Sequence, residues 1–201
     1  MQYIGNVHGD EPVGRELIMF LANWLCDNHL KDPLATLIVE NVHLHLLPSM
    51  NPDGFTLRKR GNANNIDLNR DFPDQGALVA NYPWDGTDDK RTFYYGCPDD
   101  EAFRFMASIY SHSHYNMSSS KEFVDGITNG AAWYPLYGGM QDWNYIHAGC
   151  FELTLEISDN KWPVAAELPI IWKYNKMSML NLVASLVKVY TVSAYLRRIL
   201  K

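Results

Sequence analysis

The chain has 201 residues, of which 47% are hydrophobic, 13% aromatic and 20% charged. This composition excludes a disordered chain and allows one globular domain with a sizeable core. A formal net charge of −6 argues against a general nucleic-acid surface, because phosphate binding requires a basic face. Three cysteines are too few for a disulfide-dense scaffold.

The first half of the chain predicts two strands around a helix. An apolar stretch near Ile4 leads into a loop, and apolar residues at three-to-four spacing between Val13 and Leu25 predict a helix. Residues 36–47 end in an alternating apolar and polar stretch that is typical of a strand. The motif NPDG at 51–54 predicts a turn, which a polar, Asn-rich loop follows.

The second half adds two strands and two helical regions. Residues 76–82 read as a buried strand, and a helix is predicted from about 98 to 115. Residues 118–148 are rich in Gly and aromatic side chains without a regular period. Residues 150–158 alternate as in a strand, and 167–200 predict a long helix or a helix pair.

Helices interleaved with buried strands indicate an α/β fold with a mixed sheet, in a single domain over 1–201. The apolar tail at 179–196 has two interpretations, a membrane anchor or a packed terminal helix. Lys188 and Asn181 interrupt it, which favours the packed helix. Cys26 is expected to be a buried thiol, and Cys97 and Cys150 are candidates for a disulfide.

His8 and Glu11 form the first candidate site. The spacing HxxE, between a strand and a helix, puts an imidazole and a carboxylate on one side of a turn, which is half of a tetrahedral zinc site. By itself, an HxxE pair is more often two solvent-exposed side chains that bind no metal.

Two further features carry possible chemistry. Residues 60–70 place two arginines among asparagines, and a guanidinium beside an amide makes a fork for a carboxylate. The alternative is a solvated polar loop. Glu156 lies in an apolar strand and would be a candidate base if it pointed inward, although strand alternation alone favours a solvent-facing side chain.

These residues lie in stretches that resemble the zinc metallocarboxypeptidases, in the branch that contains carboxypeptidases N, E and D, with particular likeness to plant carboxypeptidase D-like members. The matching stretches are GNVHGDEPVGRE, NPDGF, RGNANNIDLNRDFPD, GALVANYPWDG, CPDD, SSSKEF, GITNGAAWY, GGMQDWNY and CFELTLEIS. They occur in order over nearly the whole chain. The resemblance implies a mixed central β-sheet flanked by helices and a single catalytic zinc ion held by two His and one Glu.

The resemblance also implies catalytic roles. His8 and Glu11 match the first two zinc ligands, and Asp67 matches the carboxylate that orients the first His. Glu156 matches the general base, which deprotonates the attacking water and then protonates the leaving amine. Arg60 matches the residue that polarises the scissile carbonyl and stabilises its oxyanion.

The remaining matches concern the substrate, which the resemblance implies is the C-terminus of a peptide or protein. Asn69 and Arg70 match the pair that holds the terminal carboxylate, and Tyr134 matches the tyrosine that closes over it. Asp85 and Gln141 match positions that favour Lys or Arg as the last residue. A carboxylate at the end of the pocket is the physical reason for this preference.

One departure concerns the third zinc ligand. The His that the family places before GALVANY falls here on Asp74, because FPD and GALVANY adjoin without the helix and strand that separate them in the family. The fold is therefore predicted to lack an internal helix and strand. Asp74 could replace the His, one of His112, His114 and His147 could supply the ligand, or the site is incomplete, which we favour.

Two functional hypotheses follow. The first is a zinc carboxypeptidase that removes C-terminal Lys or Arg. The second is a catalytically inactive isoform, or a module that binds peptide C-termini without a metal. The family is secretory, extracellular or membrane-bound, but the opening residues do not have the pattern of a signal peptide, so the localisation is left open.

Overall fold

The computed structural model describes residues 1–69 and 78–199, with the side chains described as far as 187. Arg70 and Asp74 therefore lie outside the described residues. Within the described part, five strands form two small sheets, which share one hydrophobic core with the surrounding helices. This architecture confirms the predicted α/β class.

The first sheet pairs β1 (Gln2–Ile4) in parallel with β2 (His45–Leu47). Two helices connect these strands, α1 (Val13–Asn28) and α2 (Pro33–Asn41). A helical crossover is the usual connection between parallel neighbours. The predicted first strand and first helix are thus confirmed.

Helix α1 is amphipathic, as the sequence predicts. Its buried face consists of Val13, Leu17, Ile18, Leu21 and Leu25, which recur at helical spacing. This stripe packs into the main core. Cys26 lies one position beyond it and is exposed, so the expectation of a buried thiol is wrong.

Two local predictions in this half differ from the structure. The strand expected at the end of 36–47 is short, because α2 continues to Asn41; Asp32 caps that helix by accepting from the N–H groups of Leu34 and Ala35. The motif NPDG begins a helix, α3 (Pro52–Leu57), instead of forming an isolated turn.

The second sheet is mixed. Strand β3 (Val79–Tyr82) lies between β4 (Ile127–Asn129), to which it is parallel, and β5 (Thr154–Glu156), to which it is antiparallel. All four residues of β3 are buried. This burial confirms the predicted buried strand over 79–82, in which the polar residue, Asn81, donates to Asp85.

Three helices surround this sheet: α4 (Asp100–Ser113), α5 (Gly130–Trp133) and α6 (Met140–Ala148). Helix α4 agrees with the predicted helix. Helix α6 lies in the segment whose sequence shows no regular period. The period is missing because two of its large apolar side chains, Trp143 and Ile146, are exposed and do not form a buried face.

The last helix, α7 (Leu168–Ile199), packs on α4, α1 and α2. Its buried residues Met179, Leu180, Leu182 and Val183 join the main core. Within the part of the chain that the structure describes, no helix combines the length and apolar character needed to cross a membrane. Cys97 and Cys150, the candidate disulfide pair, are both free thiols.

Candidate active site

The loop between β1 and α1 carries the HxxE pair. The Glu11 N–H donates to the carbonyl of His8 at 3.2 Å, and the Asn6 side-chain amide donates to the same carbonyl at 2.7 Å. His8 is 8% exposed. The loop is therefore held by its own hydrogen bonds, and its two functional side chains are directed to one place.

The His8 ring lies between two carboxylates. Its Nδ1 is 3.0 Å from Glu11 Oε2, and its Nε2 is 3.2 Å from Asp67 Oδ1. Burial alone would raise the pKa of Glu11, but the contacts with His8 and Lys161 outweigh it and lower that pKa to about 2. Glu11 is thus ionised, as a carboxylate that binds a metal ion must be.

Asp67 is positioned in turn by two donors. Burial opposes its ionisation, but the N–H of Asn69 at 2.8 Å and the Arg60 guanidinium at 2.8 Å hold its pKa below the usual value. A charged carboxylate behind an imidazole fixes the ring orientation, which is the arrangement that metal-binding histidines require.

His8 and Glu11 fit as two donors of a zinc site, because an imidazole nitrogen and a carboxylate oxygen face each other while Asp67 occupies the far side of the ring. Within 1–69 and 78–187, no group of three His, Cys, Asp or Glu side chains could hold a metal ion. His114 is buried, with Nδ1 accepting from two backbone N–H groups. His112, His114 and His147 therefore complete no described metal site.

Close backbone packing holds this loop against α3. A Cβ on Gly9 would lie 2.0 Å from the backbone carbon of Gly54. The buried Asn51 amide donates to the carbonyls of Val7 and Arg60 at 3.2 and 3.0 Å and accepts from the Gly54 N–H. The NPDG motif, whose sequence predicts only a turn, thus ties the HxxE loop to Arg60.

Arg60 contacts the candidate zinc ligand Glu11 and also Asp67, while part of its guanidinium has no hydrogen-bond partner among the described residues. Its Nε binds Asp67 and its Nη1 lies 3.5 Å from Glu11 Oε1. Its Nη2 is buried and finds no hydrogen-bond partner among the described residues. A guanidinium held on one edge and unsatisfied on the other is suited to bind an incoming oxygen.

A second group of polar site residues surrounds the buried Asp85 carboxyl, just after β3. Asp85 is 1% exposed, and its Oδ1 accepts from Asn81 Nδ2 at 3.2 Å and from Gln141 Nε2 at 3.1 Å. Its Oδ2 has no hydrogen-bond partner among the described residues. Gln141 Oε1 accepts from the Thr154 N–H at 2.8 Å, which ties the pocket to β5.

The electrostatics of this pocket favour a cation. Burial and the nearby Asp142 carboxylate raise the pKa of Asp85 to about 8, against which the Asn81 hydrogen bond acts weakly. Burial also raises the pKa values of Asp142 and Glu152. Three carboxyl groups in one poorly solvated region attract a positive charge to relieve their mutual repulsion.

The Tyr134 hydroxyl is influenced by charges both from the His8 and Glu11 region and from Asp85. The residue is half-buried, and burial raises the pKa of its hydroxyl, with further upward contributions from the charges of Glu156, Asp85 and Glu11; Arg60 opposes them. Glu156 is half-buried, as are its two neighbours in β5, and its charge acts on Tyr134, so the direction of its side chain stays a prediction.

Asn69 is buried and links the Arg60 loop to α6. Its Oδ1 accepts from the Met140 N–H at 2.8 Å. Hydrogen bonds and ion pairs join His8, Glu11, Arg60 and Asn69 through Asp67, and a second set joins Asp85 to Gln141. The charges of Glu11, Arg60, Asp85 and Glu156 also act on the Tyr134 hydroxyl. Arg70, the remaining predicted residue, lies outside the described part of the chain.

Sequence reasoning missed two residues of this region, Asp142 and Lys161. The Asp142 carboxylate accepts from the backbone N–H groups of Asp85 and Gly86. Lys161 Nζ lies 3.0 Å from Glu11 Oε1. Asp142 adjoins Gln141 in the GGMQDWNY stretch, which was the available signal; no local pattern singles out Lys161.

Comparison with known proteins adds sequence and fold relationships. The profile of the zinc carboxypeptidase family matches residues 1–78 and 75–178, in two pieces that meet where FPD and GALVANY adjoin. The chain is 66% identical over 222 residues to carboxypeptidase SOL1 of Arabidopsis thaliana, covering 93% of this chain and 45% of that protein. It is 39% identical over 230 residues to human carboxypeptidase D, covering 90% of this chain and 17% of that protein.

The chain thus spans less than half the length of these two relatives. Among solved structures, thrombin activatable fibrinolysis inhibitor superimposes with a TM-score of 0.74 over 94% of this chain and 62% of that chain, at 13% identity. This likeness supports the fold. The profile match over most of the chain establishes the relationship: the chain belongs to the zinc carboxypeptidase family.

Proposed function

We propose that the chain acts on the C-termini of peptides or proteins as a zinc carboxypeptidase that prefers a terminal Lys or Arg. The observation that carries the proposal is the convergence on Tyr134: its hydroxyl lies within electrostatic reach of Glu11, Arg60, Glu156 and Asp85. The charges of a candidate metal ligand, oxyanion donor, base and specificity carboxylate therefore act on one hydroxyl, which supports their serving one site.

Each group has a distinct task. Zinc, when bound at His8 and Glu11, supplies Lewis-acid polarisation of water and of the scissile carbonyl. Arg60 offers its unsatisfied Nη2 to the oxygen on which negative charge develops. Glu156 accepts a proton from the attacking water and returns it to the leaving amine, the task of a carboxylate beside the reacting atoms.

The preference for a basic residue rests on Asp85. Its Oδ2 is buried and unsatisfied among the described residues, and Gln141 and Asn81 hold the other oxygen. An ammonium or guanidinium from the last residue of the substrate would supply the missing donor and the compensating charge. An apolar side chain would leave the carboxyl without either.

The test is hydrolysis of short peptides that end in Arg or Lys by the full chain, with and without zinc. We expect zinc-dependent release of the last residue and its loss in Glu156→Gln. Purified, folded chain that releases no amino acid with zinc present would contradict the enzymatic proposal. Peptide binding that survives a chelator would then identify a C-terminus binding module.

A further inference from the structure

A buried imidazole holds the turn that follows α4. His114, the first residue after that helix, is 5% exposed. Its Nδ1 accepts from the backbone N–H groups of Asn116 and Met117 at 3.3 and 3.2 Å. Because a ring nitrogen that carries a hydrogen cannot accept, these two contacts require the neutral imidazole with its proton on Nε2. The turn is thus built around one protonation state of one side chain.

The His114 ring lies among uncharged groups. Tyr174 of α7 meets it edge to face, with ring centroids 6.3 Å apart, and the turn at 116–119 consists of Asn, Met and two Ser residues. The charged side chains of the segment that follows, Lys121, Glu122 and Asp125, are exposed. Burial lowers the pKa of His114, and the side chain of Asn116 opposes this to a smaller extent. Protonation would therefore place a positive charge where little compensates it.

The turn that His114 holds supports part of the core. Met117 begins a short 3-10 helix (Met117–Ser119) and is fully buried in the main core. A Cβ on Gly126 would overlap the Met117 carbonyl, so the two backbones are in close contact. Gly126 has a φ of +64° and directly precedes β4. Opening of the turn would thus disturb the packing beside the start of β4.

Contacts with α7 fix the chain on both sides of His114. Asn181 Nδ2 donates to Ser113 Oγ at 3.0 Å. The Tyr115 ring stacks on Tyr174, with centroids 4.5 Å apart and planes 9° apart. Because its two neighbours are held, His114 cannot easily leave its place when it gains a proton. The cost of protonation therefore falls on the two N–H groups that Nδ1 accepts from.

We propose that His114 is an acid-sensitive switch whose protonation opens the 115–120 turn while the other elements stay folded. A protonated Nδ1 carries a hydrogen that faces the N–H groups of Asn116 and Met117, so both hydrogen bonds are lost together. The two N–H groups then need water, which reaches them when the turn opens. The switch requires no metal ion and no residue of the candidate active site.

The experiment is amide hydrogen exchange of the full chain, read residue by residue by NMR between pH 4.5 and pH 7.5. After correction for the intrinsic pH dependence of exchange, we expect protection of Asn116 and Met117 to fall at least about tenfold as His114 is protonated. Amides in the middle of α1 should keep their protection. The His114 ring signal should titrate together with this fall, at a pH below the ordinary value of 6.5.

His114→Asn separates the titration from the hydrogen bonds. The Asn side-chain oxygen is attached to Cγ, as Nδ1 is, so it can accept from the same N–H groups but does not gain a proton in this pH range. Protection of residues 116 and 117 should then be the same at pH 4.5 and pH 7.5. His112→Asn is the matched control, since His112 is an exposed residue of the same helix. This variant should keep the acid-induced fall in protection.

Three outcomes overturn the proposal. The first is constant protection of Asn116 and Met117 through the titration of His114, or a titration at or above pH 6.5; the unaltered chain decides this even if His114→Asn fails to fold by circular dichroism. The second is a fall in protection that persists in folded His114→Asn, because another group would then cause it. The third is loss of protection throughout the chain at the same pH, which is global acid unfolding instead of a local switch.

Discussion

The Asp142 carboxylate binds the backbone beside another buried carboxylate, that of Asp85. Asp142 Oδ1 and Oδ2 accept from the Asp85 N–H at 3.1 and 3.0 Å, and Oδ2 also accepts from the Gly86 N–H at 3.2 Å. The same residue therefore positions Asp85 through its backbone and raises the pKa of its side chain. The closeness of the Asp85 and Asp142 carboxyl groups, which is normally unfavourable, therefore results from the hydrogen bonds that hold this part of the backbone.

The first prediction concerns pH and stability. The pKa of Asp85 is raised in the folded chain to about 8 from a reference of 3.8, so the unfolded chain releases this proton first as pH rises. Its contribution to stability is fully present below pH 4 and is lost progressively up to about pH 8.

We therefore expect the unfolding free energy of the unaltered chain to fall between pH 5 and pH 9. In Asp85→Asn this fall should be smaller, by an amount on the order of a few kcal/mol. Urea denaturation at both pH values, followed by circular dichroism, measures the difference. Identical pH dependence in the two proteins would show that Asp85 ionises normally in the folded chain.

The second prediction concerns substrate choice. Asp85→Asn should reduce the preference for peptides ending in Arg over those ending in Leu by about 10- to 100-fold, because the cation loses its charged partner. The preference is measured as a ratio of kcat/KM values, or of Kd values if the peptide is bound without hydrolysis. Asp89→Asn, the same change on an exposed loop residue, should leave the ratio unaltered.

The third prediction concerns Asp142. Asp142→Ala removes the acceptor for two backbone N–H groups next to β3 and should lower the free energy of unfolding by about 1–3 kcal/mol. Thermal or urea denaturation measures it. Glu122→Ala, at an exposed position, is the control and should change stability by less than about 0.5 kcal/mol. A similarly small change for Asp142→Ala would contradict the structural role given to this carboxylate.

The fourth prediction tests the packing of the HxxE loop. Gly9→Ala should destabilise the chain by about 3 kcal/mol or more, because the new Cβ would lie 2.0 Å from the Gly54 backbone, which cannot easily move. Gly14→Ala is the matched control: its Cβ meets nothing closer than 3.5 Å and lies in helix α1. That substitution should be neutral or stabilise by up to about 1 kcal/mol.

Several elements could be predicted because their signals are local. Helix α1 shows its buried stripe as a three-to-four period, and β3 is buried along its whole length and is apolar except for Asn81. Helix α6 gave no such signal, since Trp143 and Ile146 are exposed and its stabilising contacts come from other segments. A periodic sequence pattern reveals a helix or strand only when that element buries an apolar face.

The sequence by itself determined the α/β class, the resemblance to the zinc carboxypeptidases and the identity of the residues that could form the site. Only the tertiary structure decided that the charge of the half-buried Glu156 acts on Tyr134, that Asp142 binds the backbone at Asp85, and that Lys161 reaches Glu11. These relationships join residues from 22 to 150 positions apart. Spacing along the chain predicts which side chains share a face of one element, but long-range pairing depends on how the elements pack against each other.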